Sequence, residues 1–192
     1  SLCLGSGKAV GGESTKCKAS AEELFYGYGG AFRCLVEGKG DVAFVKHSIV
    51  PENTGENAPS WAKGVQQTDF KLIGPGCSAE IHQYEKCHLA LVPAHAVVTL
   101  PEKRDDVVTV LKKQQEKFGA DSSLFSMFKS TDGKNLLFKD YTKCLQEIPS
   151  GQTYKEFLGT DYITTMSSLR QCSSSISELE QACTFHTCQQ KA

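Results

Sequence analysis

The chain predicts an α/β fold, a mixed sheet with flanking helices that ends in a helical tail. Three observations lead there. Two short apolar runs, Asp41–Val45 (DVAFV) and Ala96–Leu100 (AVVTL), are rich in β-favouring residues. A long amphipathic pattern follows the second run directly, and shorter helical patterns crowd the last third of the chain. Strands alternating with helices are the signature of layered α/β architecture.

Each element has a local reason. Phe25 to His47 (FYGYGGAFRCLVEGKGDVAFVKH) passes through a glycine pair and a cysteine, then becomes strand-like and ends near Lys46. Within it, Asp41–Val45 is nearly all apolar, as expected of a strand covered on both faces. Pro51 to Ser60 (PENTGENAPS) is polar with two prolines and predicts a surface loop. Ala96–Leu100 predicts a second strand, stopped by Pro101. From Glu102 to Phe118, the residues Val107, Val108, Leu111, Gln115 and Phe118 recur at three- and four-residue steps, and Gly119 stands at the capping position. Thr153–Leu158 and Thr164–Leu169 predict short helices, and Ile176–Thr184 a last one. The sequence shows no internal repeat and no low-complexity tract.

Composition narrows the function classes. A chain of 192 residues suffices for one domain or two small ones with a core of their own. Apolar content of 40% and charged content of 22% fit a soluble globular protein. A net charge of −1 gives no electrostatic case for nucleic acid or an anionic membrane. No apolar run approaches the ~20 residues of a spanning helix. Ser1 to Val10 lacks the charged start and long apolar stretch of a secretory signal.

The nine cysteines are Cys3, Cys17, Cys34, Cys77, Cys87, Cys144, Cys172, Cys183 and Cys188. Spread from end to end, they suit an oxidising, extracellular compartment. An odd number means that at least one thiol pairs outside these residues or stays free. No Cys-x-x-Cys occurs, which argues against a ribbon-type zinc site. Cys183-Thr-Phe-His186-Thr-Cys188 reads better as tail disulfides than as a zinc site, and Cys87-His88 as a bridge beside a surface imidazole. No Gly-x-Ser-x-Gly elbow supports a hydrolase, so no enzyme is expected. No Asn-x-Ser/Thr acceptor is present.

Two segments carry the candidate chemistry. Tyr26 and Tyr28 flank Gly27 ahead of the glycine pair, and Cys87 to Thr99 (CHLALVPAHAVVT) sets His95 just before a β-branched run. Taken alone, a tyrosine before Gly-Gly is usually a loop-packing aromatic, and a single histidine before a strand is usually a surface residue. Lys46 and Lys139, by composition alone, are solvated surface lysines.

The longer motifs change that balance. Tyr-x-Gly-Ala-Phe-Arg-Cys-Leu, Gly-Asp-Val-Ala-Phe-Val-Lys and Cys-His-Leu-Ala…Pro-Ala-His-Ala-Val-Val keep their order and spacing here. So do QQEKFG, NLLFKDYTKCL, YKEFLGTDY and LEQACTF farther on. This pattern resembles the second half of a transferrin lobe, the C-terminal lobe in particular, and the stretch before the tyrosines is similar to fish serum members. The resemblance implies a periplasmic-binding-protein-like lobe present as an incomplete two-domain fragment. Residues 1–91 would be part of the second domain, and residues 92–192 the return to the first domain with the C-terminal helices.

It further implies a secreted plasma carrier of ferric iron with bound carbonate, delivered through a transferrin receptor. Transferrins bind the metal through two tyrosines, an aspartate and a histidine. Tyr28 matches one tyrosine ligand and His95 the histidine, with Tyr26 behind them. The remaining ligands and the carbonate-holding helix would belong to the rest of the transferrin chain. Ferric iron is a hard cation that favours anionic oxygen and tolerates imidazole. Lys46 and Lys139 match the basic pair that drives release, with Asp140 the nearby acid, since Tyr141 stands where an aspartate is common. Cys77–Cys87 and Cys3–Cys17 match local bridges, whereas Cys34, Cys144, Cys172 and Cys183 match half-cystines with upstream partners. The alternative on the same scaffold is an iron-independent binding protein that holds another ligand or a protein partner.

Overall fold

A computed structural model describes residues 3–7, 13–18, 20–56, 58–121, 124–131 and 135–171. The chain divides into two compact units, the first comprising Ser1–Leu91 with Lys139–Tyr141, the second Val92–Phe138 with Thr142–Ala192.

In the first unit, helix α1 (Gly27–Val36) buries Gly30, Phe32 and Cys34. Sequence reasoning assigned no element to this stretch and placed the strand-like run farther on, at Asp41–Val45. The helical spacing of Phe32, Leu35 and Val36 was there, but masked by the neighbouring glycines. Phe32 is the centre of the core with Ile49, Val50 and Ile81, and Leu35, Val36, Val45, Trp61, Phe70 and Leu72 pack against them. Its ring meets Trp61 and Phe70 edge-on, at centroid distances of 6.0 and 5.1 Å. Such edge-to-face contacts add to the gain from area burial.

The short helix α2 (Ile49–Glu52) contributes Ile49 and Val50 to that core. The expected loop Pro51–Ser60 therefore begins two residues late, because Pro51 and Glu52 complete α2. Thr54 is buried, and its hydroxyl donates to the Val50 carbonyl. Strands β1 (Leu72–Gly74) and β2 (Cys77–Ala79) pair antiparallel, with Leu72 opposite Ala79 and Gly74 opposite Cys77. Pro75 and Gly76 make the turn, and Gly76 has φ +71°, the glycine position of a proline-led type II turn.

Two expected strands need correction. Neither Asp41–Val45 nor Ala96–Leu100 joins a β-ladder, and β1–β2 is the one sheet among the described residues. Their composition suits an extended chain, but a strand also needs a neighbour to take its hydrogen bonds. Asp41–Val45 is covered on one face only: Val45 packs on the core while Phe44 is 78% exposed.

The second unit starts with a largely exposed segment without regular secondary structure and then a 3₁₀ turn, Pro101–Lys103, that leads into α3 (Arg104–Phe118). Its half-buried positions are Arg104 and the expected Val107, Val108, Leu111, Gln115 and Phe118. The Gly119 N–H donates to the Gln115 carbonyl, yet Gly119 keeps right-handed dihedrals. Helix α4 (Tyr154–Leu158) begins with a capping box, in which Thr153 Oγ1 accepts from the Glu156 N–H and Glu156 Oε2 from the Thr153 N–H. Helix α5 (Thr160–Gln171) contains the expected Thr164–Leu169 segment. The expected helix Ile176–Thr184 lies outside the described residues.

Candidate metal centre

Tyr28 stands in the first turn of α1, and the backbone ahead of it explains why. Tyr26 is extended at the N-cap, and Gly27 has φ +73°, which reverses the chain into the helix. Two residues past Tyr28, a Cβ on Gly30 would lie 2.3 Å from the Phe25 carbonyl carbon. Only glycine lets the first turn pass so close over Phe25, so the second member of the glycine pair fixes where Tyr28 emerges. Tyr28 is 40% exposed. Tyr26 is 50% exposed and caps the helix through its backbone dihedrals alone, without a side-chain cap bond.

Two cations converge on the Tyr28 ring. Lys46 Nζ lies 5.6 Å and Lys139 Nζ 4.9 Å from its centroid. Within this unit the structure thus places the two sequence-predicted lysines over one aromatic ring although 93 positions separate them in the chain. Ring faces attract ammonium groups at such distances. Asp140 and Tyr141 follow Lys139 and belong to the same unit.

Beneath this turn lies a residue that sequence reasoning missed. Glu23 is 5% exposed, and its carboxylate accepts four backbone N–H groups. Leu4 and Phe25 donate to Oε1 at 2.9 and 3.1 Å. Gly5 and Cys17 donate to Oε2 at 2.9 and 2.7 Å. Burial pushes its pKa up, but the four N–H donors outweigh burial and hold it down at about 2. No motif could have revealed this, because the partners are main-chain amides from three separate segments.

Disulfides join Cys3 to Cys17 and Cys77 to Cys87. The second closes the hairpin β1–β2 onto the following turns. In that loop the Tyr84 ring stacks on His47 at 4.2 Å, and its carbonyl lies 2.8 Å from His88 Nδ1. Cys34 is a buried free thiol on α1 and Cys144 an exposed one. Cys172, Cys183 and Cys188 lie outside the described residues, as does His186.

His95 belongs to the second unit, exposed on the segment without regular secondary structure before α3. In that unit the Cys144–Ser150 segment is tied to α3. Gln115 Nε2 donates to the Leu145 carbonyl at 3.2 Å, and the Leu145 N–H donates back to Gln115 Oε1. Arg104 pairs with Glu147 at 2.8 Å and also donates to the Ile148 carbonyl. Lys112 first, then Arg104, lower the Glu147 pKa. Among the described residues, no group of three or more His, Cys, Asp or Glu could hold a metal. No helix among them is long and apolar enough to cross a membrane.

Residues 1–171 match the sequence model of the family Transferrin. The chain belongs to the transferrin family. Serotransferrin-1 of Salmo salar is 59% identical over an aligned stretch of 192 positions that covers 98% of this chain and 28% of the relative. Serotransferrin of Oryzias latipes is 56% identical over the same shares. Ovotransferrin of Gallus gallus is 49% identical over an aligned stretch of 189 positions that covers 96% of this chain and 26% of the relative. The chain thus spans somewhat over a quarter of the length of these transferrins.

Proposed function

We propose that this chain is part of a secreted plasma transferrin that binds Fe³⁺ together with carbonate and releases it by cleft opening when pH falls. In this reading the chain supplies the last part of a periplasmic-binding-protein-like C-terminal lobe. The observation that carries it is Tyr28, presented from the first turn of α1 with Lys46 and Lys139 over its ring, in a member of the transferrin family.

Tyr28 and His95 are the proposed iron ligands. A phenol has pKa near ~10 in water, so it binds at neutral pH only when the metal displaces its proton. Protons therefore compete with iron at the phenolate, and affinity falls as pH drops. Lys46 and Lys139 bring two like charges to the same ring, and in this reading their mutual repulsion drives the cleft opening that releases iron. Asp140, next in the chain, is the acid available to moderate that repulsion. The other ligands and the carbonate pocket would belong to the remainder of the transferrin chain, and a transferrin receptor is the proposed protein partner.

Absorbance tests this reading. A full-length chain containing these residues, given Fe³⁺ and bicarbonate, should show a visible phenolate-to-iron charge-transfer band. Tyr28→Phe and His95→Ala should each lower iron affinity by about tenfold or more. A colourless wild-type protein sinks the carrier reading in favour of an iron-independent binding protein, and unchanged affinity in both variants sinks the ligand assignment.

A further inference from the structure

We infer that Glu23 is a positioning residue for Tyr28: its carboxylate clasps the Cys3–Cys17 loop to the turn that launches α1, and so fixes where the phenol stands. The consequence for iron rests on the carrier reading above, whereas the clasp itself does not.

A carboxylate buried among backbone amides, with all four hydrogen bonds taken from the main chain, is an organiser of local geometry. Its four donors come from both sides of the disulfide loop, Leu4 and Gly5 next to Cys3, and Cys17 itself, and from Phe25. The Leu24 N–H adds a bond to the Gly5 carbonyl at 2.7 Å. On the helix side Glu23 acts through both of its ends. The carboxylate holds the Phe25 N–H, and the Glu23 carbonyl accepts from the Tyr26 N–H at 3.1 Å.

Phe25 is the residue over which Gly30 passes without room for a methyl group. A shift of Phe25 therefore cannot be absorbed by slack at Gly30 and must pass into the first turn of α1. Tyr28 lies between those two fixed points. The depressed pKa agrees with a carboxylate that stays charged, and keeps its four acceptor sites, at any physiological pH.

Glu23→Gln tests this with almost no change of volume. A carboxamide offers one oxygen and one NH₂, so N–H groups that now meet an acceptor would face a donor. In a metal-free full-length chain, amide hydrogen exchange should quicken about tenfold at Leu4, Gly5, Cys17 and Phe25 and also across residues 27–31. Faster exchange in the loop with α1 unchanged overturns the inference.

With Fe³⁺ and bicarbonate, E23Q should move the charge-transfer band and weaken iron binding by about tenfold, with the Cys3–Cys17 bridge intact by mass. A merely structural role would lower the melting temperature and leave band and affinity alone, and that result also overturns the inference. A colourless wild type removes the iron reading, and the exchange experiment then decides on Glu23 by itself. If E23Q does not accumulate as folded protein, Glu23→Asp, which keeps both oxygens but is one methylene shorter, is read by the same criteria.

Discussion

In the first unit, Phe32, Ile49, Val50 and Ile81 form a buried cluster with aromatic walls from Trp61 and Phe70. The second unit has Met127 and Phe128 buried, while Val98, Leu124, Leu136 and Leu137 are exposed, and no residue of α3 is buried. There the segment after Cys144 is held to α3 by Gln115, Arg104 and Lys112, through an amide–backbone pair and ion pairs. Among the described residues, the first unit is organised around apolar burial, whereas α3 of the second is held by directional polar contacts at half-exposed sites. Burial of area is worth far more per residue than exposed ion pairs, whose typical contribution is ~0–1 kcal/mol. The comparison teaches that the tyrosine-bearing turn sits on the better-anchored half.

The largest expected effect tests that anchor. Phe32→Ala removes the hub of the aromatic cluster and should cost about 3–5 kcal/mol, read as a loss of denaturation midpoint. A cost below about 1 kcal/mol would erase the contrast between the units.

A middle-sized effect depends on pH. The Glu23 carboxyl has a folded pKa of about 2 against an ordinary value of 4.5. A depressed pKa contributes stability that is fully present above the ordinary value and is lost as pH falls through the folded one. Between pH 4.5 and 2, amides of Leu4, Gly5, Cys17 and Phe25 should lose exchange protection together. In E23Q that pH-dependent step should be absent, and its persistence would assign the step to another group.

The smallest effect belongs to the second unit. Thr153→Ala removes the capping oxygen of α4 and should cost about 1 kcal/mol, measured by chemical denaturation. A cost matching that of Phe32→Ala would mean that α4 is central to a core, against the exposure seen along it.

What was legible in the sequence follows from the range of the interactions involved. The α3 face could be read, because helical spacing and burial depend on neighbours three and four residues away. The Thr153–Glu156 box is likewise local, and Thr153–Leu158 was expected as a helix. Asp41–Val45 and Ala96–Leu100 show the limit: composition favours strand, but pairing depends on a partner that no local pattern names. Helix α1 was not anticipated because Gly27, Gly29 and Gly30 lower helical propensity, and steric need at Gly30 overrode it. At the candidate site, the motifs gave Tyr28, Lys46 and Lys139, and the structure adds that both ammonium groups share one ring. Glu23 stayed hidden because its partners are amides without side-chain identity.

The hairpin β1–β2 has a practical consequence for anyone wishing to label this molecule. A methyl group on Gly74 would meet the His88 carbonyl oxygen at 2.7 Å and the Cys77 sulfur at 2.8 Å, and Gly76 is held at φ +71°. Both tip glycines thus refuse a fluorophore or affinity handle. Ile73, 70% exposed and paired with Ser78 through the backbone, tolerates a bulky graft and is the natural attachment point.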